Sequence, residues 1–352
     1  MSRSNTPNPS RRRVIKLVLL VALTALALVG GYALRIYSQT KTAVDSTFVK
    51  TKETTKKTTV HLADRKPISI LLMGTDTGAF GRSDTGRTDS MIVVTINPQQ
   101  KRTTMYSIPR DTLVHVDTAM YTGFTKINAA YTFGKVDTAI KAVKDLIEVP
   151  VNYYVLVNMA GLSKIVDAVG GIDVNVKFSW TDADAKGSFT KGPAHLNGAQ
   201  ALAYARMRHE DPLGDYGRQQ RQQEVITQIV KKLLSANTLT NYKSVMASLT
   251  TSMRTDLTFD EMVTIAENYR GAAKTINKEI LQGLGVYINR GAYQVPSTAD
   301  LQKVSTAARA ELGLSPVVLN NYNTKQNALN TANGFNWKDL NNPTYTVYDL
   351  GN

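Results

Sequence analysis

No cysteine occurs among the 352 residues. Disulfides, thiolate nucleophiles and cysteine-ligated metals are therefore excluded. Histidine is scarce: His61, His115, His195 and His209 are scattered and form no metal-ligand cluster. The patterns GxxxxGKS/T, HExxH, GxSxG and GxGxxG are all absent. That removes the P-loop, the zincin helix, the serine-hydrolase elbow and the dinucleotide fingerprint. What remains is ordinary globular material, 42% hydrophobic and 20% charged. The length suffices for one large domain or two of common size.

The net charge of +14 is unevenly placed. Residues 1–60 hold eleven Lys/Arg against two acids, so nine of the fourteen charges sit there. The basic balance is therefore weak support for nucleic-acid binding. Leu17 to Leu34 is an uncharged run of 18 residues. As a helix it spans about 27 Å, close to the hydrocarbon thickness of a bilayer. Arg3, Arg11, Arg12, Arg13 and Lys16 precede it, and Arg35 follows. The positive-inside rule places the N-terminus in the cytoplasm and the chain after Tyr37 outside, although Lys41 to Lys57 is basic too. The run is long for a signal-peptide core, and no small-x-small cleavage site follows. A single-pass, type II signal-anchor in the cell membrane is expected, rather than a cleaved signal or a core helix. The chain then divides into a basic arm (1–16), a transmembrane anchor (17–37), a Thr/Lys-rich stalk (38–66), a folded body (67–315) and an Asn/Thr-rich tail (316–352) expected to be loose.

Within the body, strand and helix patterns alternate. Ile68–Met73 reads as a strand covered on both faces. Met91–Ile96 and Thr103–Ile108 follow, with Asn97-Pro98 as a turn signal between them. Val136–Ile147 has helical spacing, Tyr153–Val157 is a strand, and Ala160–Val169 is a helix stopped by Gly170-Gly171. Ile172–Val176 is a strand, and Asn197–Met207 and Arg218–Leu234 are helices, the last with Val225, Ile226, Ile229, Val230 and Leu233 inward. Two further helices are expected within 240–270. The pattern predicts an α/β fold, with helices on both faces of a central sheet.

Three segments carry chemistry. The first, residues 74–91, follows a buried strand and so lies in the crevice at its carboxyl end. Asp76 and Asp89 are candidate oxygen ligands for a Mg²⁺ ion that keeps waters and takes phosphate oxygens. Arg87 is placed to fork onto phosphate. A solvated charged turn explains the segment equally well when it is taken alone. The second is Ser107-Ile108-Pro109-Arg110-Asp111-Thr112, another strand ending in a charged pair. Arg110 enters the same crevice if the two strands are neighbours; otherwise it is a surface ion pair of little value. The third, residues 204–223, packs Arg206, Arg208, Arg218 and Arg221 into sixteen positions, with Asp215 and Gln222 among them. Arg218 and Gln222 continue the helix face that turns apolar at Val225 and Ile229. Polar groups on such a face need partners, because unpaired burial is costly. A polyanion at the helix N-terminus supplies them. A nucleic-acid strip requires interleaved aromatics, and here Tyr204 and Tyr216 alone are nearby.

Taken together, these segments resemble the LytR–CpsA–Psr family of Gram-positive bacteria. The matching pieces are ILLMGTD (70–76), GRTDSMIVV (86–94), SIPRDT (107–112), KINAAY (126–131), VGGIDV (169–174), LNGAQALAYARMR (196–208) and GDYGRQQRQQ (214–223). Seven pieces in one order, over about Pro67 to Tyr269, form a specific match. The resemblance implies an α-β-α sandwich with a mixed central sheet. It implies a phosphotransferase that moves a glycopolymer, such as a teichoic acid, from an undecaprenyl-pyrophosphate carrier onto peptidoglycan. A phosphodiester forms and undecaprenyl phosphate leaves. By position, Asp76 and Asp89 correspond to the carboxylates for Mg²⁺, or Mn²⁺ in its place. Arg87, Arg110, Arg206, Arg208 and Arg218 correspond to the pyrophosphate grips and Gln222 to a head-group contact. Asp215 and Arg221 lie in the motif without assigned roles. Arg82 and Asp84 fall in a Gly-rich insert that varies in the family and are not assigned. Expected partners are the lipid-linked polymer, peptidoglycan and the bilayer, with no nucleic acid. A pyrophosphatase of the same lipid-linked substrates is the alternative, since water can replace the acceptor hydroxyl. A non-catalytic regulator is the other, although about sixteen cytoplasmic residues are too few for a DNA-reading domain.

Overall fold

The computed structural model describes residues 35, 37–39, 41–42, 45–54, 62–77, 86–182, 187–233, 253–341 and 343–350. The apolar run at 17–34, Arg82, Asp84 and the helix expected near 240 lie outside them. Among the described residues no helix is long and apolar enough to cross a membrane.

The strands in chain order are β1 (Ile68–Thr75), β2 (Thr88–Asn97), β3 (Arg102–Ser107), β4 (Leu113–Asp117), β5 (Thr122–Lys126), β6 (Tyr153–Asn158), β7 (Ile172–Val176), β8 (Trp180–Asp182), β9 (Gly187–Phe189), β10 (Gly192–Leu196), β11 (Met253–Thr255), β12 (Thr275–Ile280), β13 (Leu284–Ile288) and β14 (Gly291–Val295). The α-helices are α1 (Ala130–Ile147), α2 (Met159–Ala168), α3 (Gly198–Arg206), α4 (Gly214–Leu233), α5 (Phe259–Asn268), α6 (Thr298–Glu311) and α7 (Tyr322–Ala332).

The central sheet runs β11-β6-β1-β2-β3-β12. β1, β2 and β3 form an antiparallel meander, with β6 parallel to β1 and β12 parallel to β3. The sheet is therefore mixed. Side chains alternate between two covered faces, as the pleat requires. Leu71, Met73, Met91, Val93 and Tyr106 pack under α1 and α6. Ile68, Ile70 and Tyr153 meet Met262 and Ile265 of α5, and Ile92, Val94 and Met105 meet Ile226 of α4. The expected α-β-α sandwich is present. One correction concerns Leu233, which reads as inward in the sequence but is exposed at the end of α4.

The topology decides where the charged strand ends meet. β1 and β3 are not neighbours; β2 lies between them. Both run antiparallel to β2, so the ends of β1 and β3 and the start of β2 share one edge of the sheet. Asp89 on β2 is thereby set beside both Asp76 and Arg110, whose own strands do not touch.

The flanking segments are more ordered than their composition suggests. The tail carries α7, with Asn323, Gln326, Asn327 and Asn330 all buried. Each amide pairs with backbone: Asn323 donates to the Leu113 carbonyl at 2.8 Å, Asn327 to Pro296 at 3.0 Å and Asn330 to Thr346 at 2.7 Å. Asn-rich sequence reads as loose because its amides are polar. Here those amides satisfy carbonyls that would otherwise be buried unpaired. Part of the stalk is docked as well. Thr47 is fully buried, Phe48 bridges Thr255 in parallel, and Val49 donates to the Thr255 carbonyl at 2.8 Å. This covers the exposed edge of β11.

Candidate active site

Asp76 follows β1 and is 5% exposed. Its Oδ1 accepts the Arg87 backbone N–H at 3.0 Å, tying the end of β1 to the start of β2. Gly86 makes this possible: its φ is +68°, and an added Cβ would lie 2.6 Å from Asp76 Oδ1. Arg87 itself is exposed at the mouth.

Asp89, one residue into β2, is the hub. Its Oδ2 accepts Arg110 Nη1 at 2.8 Å, and its Oδ1 accepts Asn128 Nδ2 at 3.0 Å. Its backbone carbonyl accepts Arg218 Nη2 at 3.3 Å. Arg218 enters from the first turns of α4 and also pairs with Asp215 at 2.8 Å. Asp215 lies 3.9 Å from Arg110 Nε, and Asp111 lies 3.6 Å from it. Three carboxylates and two guanidiniums thus interlock across residues 89 to 218.

The electrostatics of the two guanidiniums differ. Burial disfavours the Arg110 charge, but Asp89, Asp111 and Asp215 outweigh it and raise its pKa. Arg218 is lowered, chiefly by burial, with repulsion from Arg110 and Arg208 adding to it and Asp215 opposing. The Nε–H groups of Arg110 and Arg218 are buried without a hydrogen-bond acceptor. Such donors are costly unless a ligand satisfies them. Arg208 is half-buried beside this pair and Arg206 is exposed at the end of α3. Gln222 lies one turn beyond Arg218 on α4, half-buried.

Arg221 does something else. It is buried, donates from Nε to the Tyr204 carbonyl at 2.8 Å, and also binds the Met207 carbonyl and the Asp211 carboxylate. Every arm of its guanidinium is engaged with the 204–211 segment. It fastens the turn between α3 and α4 and does not face the anion site. Residues that sequence reasoning missed belong to this frame too. Asn128 orients Asp89, Gln219 donates to Asp215 at 3.0 Å, and Lys126 pairs with Asp111 at 2.7 Å. The KINAAY piece contained Lys126 and Asn128, and its chemical content was legible there. Gln223 anchors α4 to the sheet through Ser107 Oγ at 2.9 Å and the Glu279 carbonyl at 2.8 Å.

Among the described residues, no three His, Asp or Glu side chains converge as a metal cage. The oxygen donors nearby are Asp76, Asp89 and Asn128 Oδ1, the last buried without a partner. A few hard oxygens of this kind fit a Mg²⁺-type ion that completes its shell with water and phosphate.

Fold and site together define an α/β protein with a cluster of arginines and carboxylates at one end of the strands of a mixed sheet. The chain belongs to the LytR_cpsA_psr family, whose model matches residues 33–310. It is 40% identical over 303 residues to the polyisoprenyl-teichoic acid–peptidoglycan teichoic acid transferase TagU of Enterococcus faecalis, covering 86% of this chain and 98% of that protein. It is 37% identical to biofilm regulatory protein A of Streptococcus mutans, over 89% of this chain and 80% of the other. Among solved structures it is similar to TagT bound to LIIa-WTA, with a TM-score of 0.62 and 25% identity, covering 75% of this chain and 97% of that one.

Proposed function

We propose that this protein is a phosphotransferase of the cell envelope. It takes a glycopolymer from an undecaprenyl-pyrophosphate carrier and joins it to peptidoglycan through a phosphodiester. The observation that carries the proposal is the pair of buried, acceptor-less Nε donors on Arg110 and Arg218. Both guanidiniums lie against Asp89, and Arg208 is close enough to repel the Arg218 charge; Arg87 and Arg206 would complete the grip. The transferase names of close relatives and the teichoic acid bound to TagT support the same substrate class.

The reaction asks for charge neutralisation and positioning, without a covalent nucleophile. The pyrophosphate satisfies Arg110 and Arg218, each charge-assisted bond contributing about 1.5–3 kcal/mol. Arg110 then shares its charge with substrate, loosening its hold on Asp89. Asp89 is left to accept the proton of an acceptor sugar hydroxyl. That oxygen forms a bond to the polymer-linked phosphorus. The bond from this phosphorus to the lipid phosphate breaks, and lipid phosphate departs with the electron pair. Asp76 and Asp89 would hold Mg²⁺, or Mn²⁺ in its place, which when bound supplies further neutralisation of the pyrophosphate. The partly buried Leu72, Ile96, Ile226 and Ile276 pack on the core between the sheet and α4, and these two elements would form the walls for a polyprenyl tail. The apolar run at Leu17–Leu34 would anchor the enzyme beside its carrier lipid.

The test is a purified transfer assay with a lipid-linked glycopolymer and peptidoglycan, with and without EDTA. Phosphodiester-linked product that requires Arg218 and divalent metal is expected. Free phosphorylated polymer in the presence of acceptor would make the protein a pyrophosphatase instead.

A further inference from the structure

Two adjoining cavities open where the β4–β5 hairpin meets α7 and the C-terminal segment. They measure about 360 and 760 Å³ and share His115 and Tyr322. They adjoin at this ring pair along one groove wall, and each is of a size that small-molecule and sugar sites commonly have. Its second wall, from residue 322 onward, lies beyond the span matched by the family model.

The groove is a built feature. His115 and Tyr322 lie 4.9 Å apart, with Phe124 and Tyr348 along the wider part. Buried amides fix these rings in place. Asn323, next to Tyr322, donates to the Leu113 carbonyl of β4. Gln326, with no exposed surface, donates to the Tyr348 carbonyl at 2.7 Å and accepts the Tyr348 N–H at 2.9 Å.

Its charge differs from that of the arginine site. Lys325 and Asp349 line the wider cavity; Lys144, Asp145 and Glu148 line the narrower one. The Lys144 charge is already paired with Glu53 at 3.0 Å. A polyanion would find no excess of positive charge here. Aromatic faces with mixed polar rims suit a neutral sugar chain, whose C–H faces stack while its hydroxyls and amides find partners.

The groove shares the β4–β5 hairpin with a residue of the candidate site's frame. Phe124 lies two residues before Lys126 on the same strand face, about 7 Å along β5. Lys126 pairs with Asp111, and Asp111 lies beside Arg110. We propose that this groove binds the neutral glycan backbone of the acceptor strand, a β-1,4-linked N-acetylhexosamine chain, and holds the strand on the hairpin that also carries Lys126. This assignment rests on the transferase reading above for its direction, but its binding test does not.

N-Acetylchitotetraose, a neutral β-1,4-linked N-acetylhexosamine chain, would be titrated by calorimetry into the full chain in detergent. Saturable binding is expected, weakened roughly tenfold by Tyr322→Ala, the loss of one stacking surface. Ala328→Trp, at an exposed position on α7, fills the groove without removing a contact and should abolish binding. Both variants should raise KM for glycan acceptor while leaving affinity for a polyprenyl pyrophosphate unchanged. No saturable binding by the intact chain, or binding indifferent to Ala328→Trp, overturns the proposal. So does a groove that takes anionic teichoic acid in preference to neutral glycan. If glycan binds and no transfer occurs, the transferase reading fails and the groove stands.

Discussion

Arg218 and Arg221 are three residues apart on α4, yet removing each should have opposite consequences. Arg221 and Asp211 are 7% and 4% exposed in their side chains. Arg221→Met leaves a buried carboxylate and the Tyr204 and Met207 carbonyls without their donor. Removing one partner of a buried ion pair costs about 3–5 kcal/mol. For a body of this size that is a fall in Tm of roughly 10 °C. Arg218→Met is different, because its charge is already desolvated and its Nε unsatisfied. Asp215 keeps Gln219 as a hydrogen-bond donor and Arg110 nearby. The stability change should stay within about 1 kcal/mol. Transfer, however, should fall by roughly a thousandfold, the worth of a guanidinium clamp on a transferring phosphoryl group. Thermal denaturation and the transfer assay, run on both variants, separate the two roles. An Arg221→Met protein with unchanged Tm, or an Arg218→Met protein that keeps normal activity, would refute the division of labour.

Asp89→Asn keeps a side chain of the same shape but removes the charge opposite Arg110; transfer should fall by about a hundredfold or more, with circular dichroism unchanged. Gly86→Ala strains a φ of +68° and presses on Asp76, so both stability, by about 1 kcal/mol, and turnover should drop. Tyr345→Ala opens a cavity in the cluster of Leu113, Val286, Ile288 and Val295. Urea unfolding should show a loss of about 3–5 kcal/mol, and a neutral result would mean the tail contributes nothing to the body.

Much of the fold was legible because its strands are buried on both faces. ISILLM is continuous rather than alternating, and it became β1 of a sheet covered on both sides. The helical periods at 136–147 and 218–234 mark most of the helices found at 130–147 and 214–233; the first turn of the former lies before a break at Gly134 and Lys135. The β4–β5 and β13–β14 hairpins did not, because they are short and half-exposed and their pairing is set by packing against the tail. The C-terminal helix was hidden for another reason. Its buried face is made of Asn, Gln and Thr, and only carbonyls supplied by distant strands make burial of those amides favourable.

Sequence alone determined the composition of the candidate site: which strand ends carry Asp76, Asp89 and Arg110, and that arginines gather at the head of α4. Those facts follow from local pattern and from residues whose burial demands a partner. The tertiary structure decided which charges face one another. The antiparallel pairing of β2 with β3 set Asp89 against Arg110. The rotation of α4 against α3 turned Arg221 onto carbonyls and Asp211, and left Arg218 with a donor open to the site. An arginine's role depends on what lies within about 3 Å of its nitrogens. At this site those atoms come from segments as far apart as residues 89 and 218, a juxtaposition that no local pattern encodes.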